Sequence, residues 1–133
     1  MSTSNDVLRE RKQVSTIAAA KTLIAGDSGN TFILSAAAGA AIALPTLQAG
    51  LNFKFIVGSA FATTDWTIVS STNVTEGNVV VAGAHVAGAN ENTVSFVASA
   101  ESIGDYVEYV CDGTSWFVSG SGVTSGSITF TAA

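Results

Sequence analysis

The sequence predicts an all-β protein: a single-domain antiparallel β-sandwich or barrel of about nine or ten short strands, preceded by an extended N-terminal arm. Three observations carry this expectation. Apolar residues make up 47% of the chain. They are chiefly Ala, Val, Ile and Phe set among Gly, Ser and Thr, and β-branched and aromatic side chains suit a pleated, half-buried surface. Charged residues make up only 11%. That is too few for the wet faces of a helical bundle, while the apolar share is too large for a disordered chain. From Val14 onward, polar and apolar residues alternate with period two, and no long segment repeats with helical period. A length of 133 residues suits one domain with an arm. With one proline in the chain, the turns must rely on Gly, Asn, Asp and Ser.

Residues 1–13, MSTSNDVLRERKQ, form the arm, and residues 14–133 the body. The arm is polar, with Val7 and Leu8 as its apolar anchors. Ser4 or Asn5 suits the cap of a short helix over residues 6–13, although so short a helix is marginal alone. In the body, Thr22, Leu23 and Ile24 form a strand that stops at the turn-forming run 26–29. Residues 31–35 form the next, and residues 41–44 a short one ended by Pro45. In residues 51–57, Leu51, Phe53, Phe55 and Val57 share one face. Residues 66–70 alternate again, with Trp66 and Ile68 together. Residues 78–82 are a continuous apolar run, the pattern of a strand covered on both faces. Val94, Phe96 and Ala98 share a face, as do Val107, Tyr109 and Cys111. Asp112-Gly113 is a turn from which residues 116–119 return. Gly120, Gly122 and Gly126 read as a flexible turn before a last strand over residues 127–131. Three segments share a loose pattern beginning at Phe32, Phe55 and Phe96. Their unequal spacing argues against a solenoid repeat, so each reads as a strand end meeting a turn.

Charge is uneven along the chain. Arg9, Arg11, Lys12 and Lys21 are four of the five basic residues, and beyond Lys21 a single lysine, Lys54, faces eight acids. An acidic body lacks the basic face that phosphates require, so nucleic-acid binding is not expected, and the arm carries too few charges to act as a nucleic-acid tail. The longest apolar run, 36–44, is too short to span a membrane, and residues 1–13 lack a signal-peptide core. The sequon at Asn73 is therefore read as chance. Cys111 is the only cysteine, so no intrachain disulfide forms. His85 is the only histidine; it reads as lying in a Gly/Ala loop, residues 83–86, and no nucleophile or carboxylate accompanies it. A pair with Cys111 is conceivable, but a small buried hydrophobe is the better reading of that cysteine. The acids are scattered. Asp105 and Glu108 fall on opposite faces of a strand, and zinc lacks ligands. A Ca²⁺ site built from loop carbonyls and single acids stays open on sequence grounds. No catalytic, cofactor-binding or metal-binding residue is assigned, and no enzyme is expected. Trp66 and Trp116, with Tyr106 and Tyr109, suit either a core or a sugar-binding surface, and the core is preferred. A surface with so few ions favours lateral association, because its burial desolvates little charge.

Four segments taken in order are more specific than any one alone: AGDSGNTFIL (25–34), AIALP (41–45), AGLNFKFIV (49–57) and IGDYVEYVCDGTSWFVSG (103–120). Together they resemble the small β-rich structural proteins of tailed phages, over most of residues 22–120. The resemblance implies a virion structural protein, and the size is similar to that of capsid decoration (cement) proteins. Such proteins are typically homotrimers on the outer capsid surface at three-fold positions, made in the host cytoplasm. The expected partner is the major capsid protein, with no nucleic acid, membrane or cofactor. The expected capsid-binding arm is Val7, Leu8, Arg9, Arg11 and Lys12. The alternative is a carbohydrate-binding or host-adhesion module of a head fibre or tail, with Trp66 and Trp116 facing the glycan. A depolymerase would need a carboxylate pair in a cleft, and the sequence offers none.

Overall fold

The structure is a computed structural model that describes residues 12–132. The described residues form twelve strands and one short 3₁₀ turn, Ala25–Asp27, with no α-helix. The all-β expectation holds. The strands are β1 (Val14–Ile17), β2 (Lys21–Thr22), β3 (Thr31–Leu34), β4 (Ala41–Ala43), β5 (Asn52–Val57), β6 (Trp66–Val69), β7 (Thr75–Val81), β8 (Ala84–Glu91), β9 (Thr93–Phe96), β10 (Tyr106–Cys111), β11 (Trp116–Gly122) and β12 (Ile128–Thr131). They make a seven-stranded sheet in the order β1-β3-β5-β10-β11-β7-β8 and a five-stranded sheet in the order β12-β9-β6-β4-β2.

Both sheets are mixed, which corrects the antiparallel expectation. In the first half the chain crosses from sheet to sheet at every step. β1, β3 and β5 lie parallel in the larger sheet, and β2, β4 and β6 lie parallel in the smaller one. The result is a three-rung coil. The links that carry the chain back to the larger sheet, residues 23–30 and 44–51, are equally long. Parallel neighbours need a crossover between them, and here the opposite sheet provides it. Alternation of side chains records which face a residue takes and not which way its neighbour runs, so the pairing direction was hidden. The similarity between the segments starting at Phe32 and Phe55 has a structural meaning after all. Phe32 pairs with Phe55, Ile33 with Ile56 and Leu34 with Val57 in adjacent parallel strands. The third segment, at Phe96, lies in the other sheet and pairs antiparallel with β6 and β12.

Inward side chains from the two sheets merge into one cluster. An aromatic file runs through it. Phe32 and Phe55 stack with centroids 5.6 Å apart, Phe53 lies 5.9 Å from Trp116, and Tyr109 meets Phe55 and Trp116 edge-on at 5.8 and 6.0 Å. Such contacts add about 0.5–1.5 kcal/mol per pair beyond area burial. The smaller sheet contributes Ile42, Trp66, Ile68, Val94, Phe96 and Ile128, all fully buried. Just before β1, the Gln13 carbonyl accepts the Thr31 N–H at 2.8 Å.

Three further expectations change. The 78–82 run is not covered on both faces: Val79 and Val81 are buried, while Val80 is 37% exposed on the open side of its sheet. The Gly/Ala segment around His85 is a strand, β8, joined to β7 by a tight turn in which Ala82 and Gly83 both have positive φ (51° and 80°). Two such residues are what a type I′ hairpin turn needs. Ala-Gly is a weak signal for it, and the small side chains of β8 show little alternation. Gly120 and Gly122 are strand residues of β11, not a turn. A Cβ at Gly120 would collide with the Tyr106 carbonyl of the neighbouring strand. The Asp112-Gly113 hairpin forms as expected. Its aspartate carboxylate accepts the Thr114 and Ser115 N–H groups, each at 2.8 Å.

Candidate functional site

Of the expected arm residues, Val7, Leu8, Arg9 and Arg11 lie outside the described residues. Lys12 is described and exposed. It lines a shallow cavity of about 130 Å³ with Asn30, Asn52, Lys54, Glu108 and Val110. The glycan-facing alternative for Trp66 and Trp116 is corrected. Both are 0% exposed. Each stands in phase with inward neighbours, Trp66 with Ile68 and Trp116 with Val118. Neither ring can stack on a sugar.

The carboxylates of the body are mostly tied to backbone N–H groups. Asp27 accepts from Ile24 at 3.0 Å, Asp65 from Ala98 at 2.8 Å, Glu76 from Asn90 at 2.6 Å and Glu101 from Phe61 at 3.0 Å. Asp105, buried, accepts from Ser102 at 3.0 Å and Val123 at 3.2 Å. With Asp112, six of the eight acids beyond Lys21 brace a loop or a strand end. At Asp112, the bonds from Thr114 and then Ser115 lower the carboxyl pKa from its ordinary value. Glu108 pairs with Lys54 at 3.3 Å, and the Lys54 ammonium sits 4.7 Å over the Tyr106 ring. Among the described residues, no three His, Cys, Asp or Glu side chains gather into a metal-binding group.

His85 and Cys111 are not brought together. β8 and β10 are separated by β11 and β7, so three strand spacings, roughly 14 Å, lie between them. Cys111 points into the core, while His85 is exposed and contacts the Asn78 side chain at 3.3 Å. Asp105 and Glu108 part as expected, one buried and the other exposed.

The feature that stands out is the outer face of the seven-stranded sheet. Val110 and Phe117, directly opposite one another on β10 and β11, are 53% and 48% exposed. Beside them run Asn52 on β5 and Glu76 on β7. The neighbouring row carries Lys54, Glu108 and Ser119. The cations of this face, Lys12 and Lys54, lie toward β1 and β5. Its carboxylates lie toward β10 and β7. Val110 was legible in the sequence, since Val107, Tyr109 and Cys111 facing inward leave it outward. Its alignment with Phe117, Asn52 and Glu76 depends on strand order. With this geometry in hand, comparison with known proteins adds no relative: no family model, no curated protein and no solved structure matches the chain.

Proposed function

We propose that this protein is a structural component of a virion. In this reading it is a capsid decoration protein with a β-sandwich body, bound to the outer surface of the major capsid protein shell. The observation that carries the reading is the character of the exterior. Only 11% of residues are charged, and six of the eight acids beyond Lys21 are engaged by backbone N–H groups. The exterior thus carries few free ions and exposes apolar side chains such as Val14, Ile24, Ile103 and Val123. It can be buried against protein with little ion desolvation. The resemblance of the four sequence segments to phage structural proteins supports the same reading. Capsid attachment falls to the N-terminal segment with Val7, Leu8, Arg9, Arg11 and Lys12. Several weak contacts from one assembly then act together against expansion of the shell.

The test is co-sedimentation of the full chain with shells stripped of it, alongside a variant lacking residues 1–11, which spares the Gln13–Thr31 bond. Full-length protein is expected to saturate the shells and the truncated protein to stay in the supernatant. Full occupancy by the truncated protein would exclude the arm, and absence of binding by the full chain would exclude the decoration reading.

A further inference from the structure

We infer that, in the protein free of any partner, residues 7–11 of the N-terminal arm lie across the outer face of the seven-stranded sheet, with Leu8 and Val7 covering Val110 and Phe117. This placement concerns the free protein and holds or fails without the capsid reading. The same two residues cannot hold a shell and this sheet at once, so shell docking, where it occurs, lifts the arm.

Three properties of the face select the arm as its occupant. The first is where the chain enters the body. The β1–β3 and β3–β5 registers, each extended by two residues, set Lys12 beside Gly29 and Gly29 beside Asn52. The Gly29 N–H donates to the Asn52 carbonyl at 2.8 Å, in keeping with that extension. Asn52 stands opposite Val110, and Val110 opposite Phe117. Lys12 is thus at the sheet edge, in the same row as the exposed apolar pair. One shallow cavity touches Lys12, Gly29, Asn52 and Val110, so the way along this row is open. Gly29 has no side chain to block it, and an added Cβ there would meet nothing within 4 Å.

The second is reach. β10 and β11 are three and four strands away from β1, which puts Val110 and Phe117 roughly 14 and 19 Å from the edge. An extended chain advances about 3.3 Å per residue, so Leu8 falls roughly 13 Å from Lys12 and Val7 roughly 17 Å. Their side chains span the few ångströms that remain.

The third is composition. Val7 and Leu8 are adjacent and apolar, and they match the one half-exposed apolar pair of the row. Between them and Lys12 come Arg9, Glu10 and Arg11. The row beside this path carries Lys54 and Glu108, paired with each other and both partly exposed. Each sign of charge on the arm therefore has the opposite sign within reach of a long side chain. No carboxylate or ammonium is left buried and unpaired, which is the usual cost of covering a charged surface.

The test is the amide NMR spectrum of the full chain with no shell present. Leu8→Asp is expected to shift the Asn52, Val110 and Phe117 amides and to leave those of Thr67 and Thr93, in the smaller sheet, in place. Removal of residues 1–11 is expected to shift the same set. If the Val110 and Phe117 amides stay where they are in both variants, or if the shifts centre on the smaller sheet, the placement is overturned. A nitroxide on Ser4→Cys, with Cys111 buried and out of reach of the label, tells the chain's own arm from a neighbour's. The label is expected to broaden Val110 and Phe117 of its own chain. Equal broadening in isotope-labelled chains that lack the nitroxide, mixed with nitroxide-bearing ones, would mean that the arm of a second copy lies there, and the inference would fall.

Discussion

Asp105 immediately precedes β10, and its two carboxylate oxygens accept the N–H groups of Ser102 and Val123, which are 21 residues apart in the chain. Removing a charged acceptor from two N–H groups of this kind costs roughly 2–3 kcal/mol. Asp105→Ala is therefore expected to lower the chemical-denaturation free energy by about that amount, and a change below about 0.5 kcal/mol would exclude the bracing role. Tyr109 presents the opposite case. Its ring is fully buried, and its hydroxyl finds no partner among the described residues. Tyr109→Phe is expected to raise stability by about 1 kcal/mol, since an unpaired buried polar group is removed and the aromatic contacts stay. Burial also holds the phenol pKa well above its ordinary value near 10. The folded state keeps this proton where the unfolded chain releases it. Stability is thus unaffected below about pH 10 and falls as the pH climbs toward the folded value. In urea melts between pH 9 and pH 11, Tyr109→Phe should lose less stability than the parent. At the other end of the scale Asp112 works with reversed sign. Its lowered pKa makes the turn's contribution complete above the ordinary carboxyl range and lost as the pH falls through the folded value.

Among the elements, the rung pair β3–β5 and the hairpin β7–β8 are the least anticipated and the most testable. Parallel register predicts energetic coupling between Phe32 and Phe55, which stack. Each change to Ala is expected to cost about 3–5 kcal/mol, and a double-mutant cycle should show coupling of about 0.5–1.5 kcal/mol. The analogous cycle between Phe32 and Phe96, which lie in different sheets, supplies the contrast. In the hairpin, Ala82 holds a φ of 51°, a region that costs an ordinary L-residue about 1 kcal/mol and that Asn tolerates. Ala82→Asn is expected to raise the melting temperature by a few degrees, as the turn becomes Asn-Gly. No gain on thermal melting would show that the turn geometry is not that assigned here.

For the whole molecule, the two sheets share one buried cluster, so no part of the described body has a core of its own. A single cooperative unfolding transition is expected, with fluorescence of the two buried tryptophans and circular dichroism coinciding. Pairings such as Trp116 with Thr75 and Lys54 with Thr31 join residues far apart in the chain. Non-local ladders of this kind close slowly, so refolding is expected on the millisecond-to-second scale and not in microseconds. A surface poor in charge carries a matching hazard: the neutral edges of β1 and β12 have few of the lysines that keep edge strands apart. The proposed capsid docking draws on that same scarcity of charge.

Period-two alternation made most strands legible in the residues themselves, with their inward faces. Phe53, Phe55 and Val57 point inward as read, and so do Val107, Tyr109 and Cys111. Asp112-Gly113 turns where its chemistry requires. These features are local, because pleating puts neighbours on opposite faces whatever the strand pairs with. Tertiary structure decided which strands are neighbours and in which direction they run. It turned a 23-residue likeness between Phe32 and Phe55 into a parallel register, made a strand of the small residues around His85, and tied four carboxylates, those of Asp65, Glu76, Glu101 and Asp105, to N–H groups distant in the chain. It also gathered Val110, Phe117, Lys54 and Glu76 onto one surface. Pairing across a sheet depends on hydrogen bonds between segments far apart in the chain, and no local pattern of side chains encodes which segment arrives.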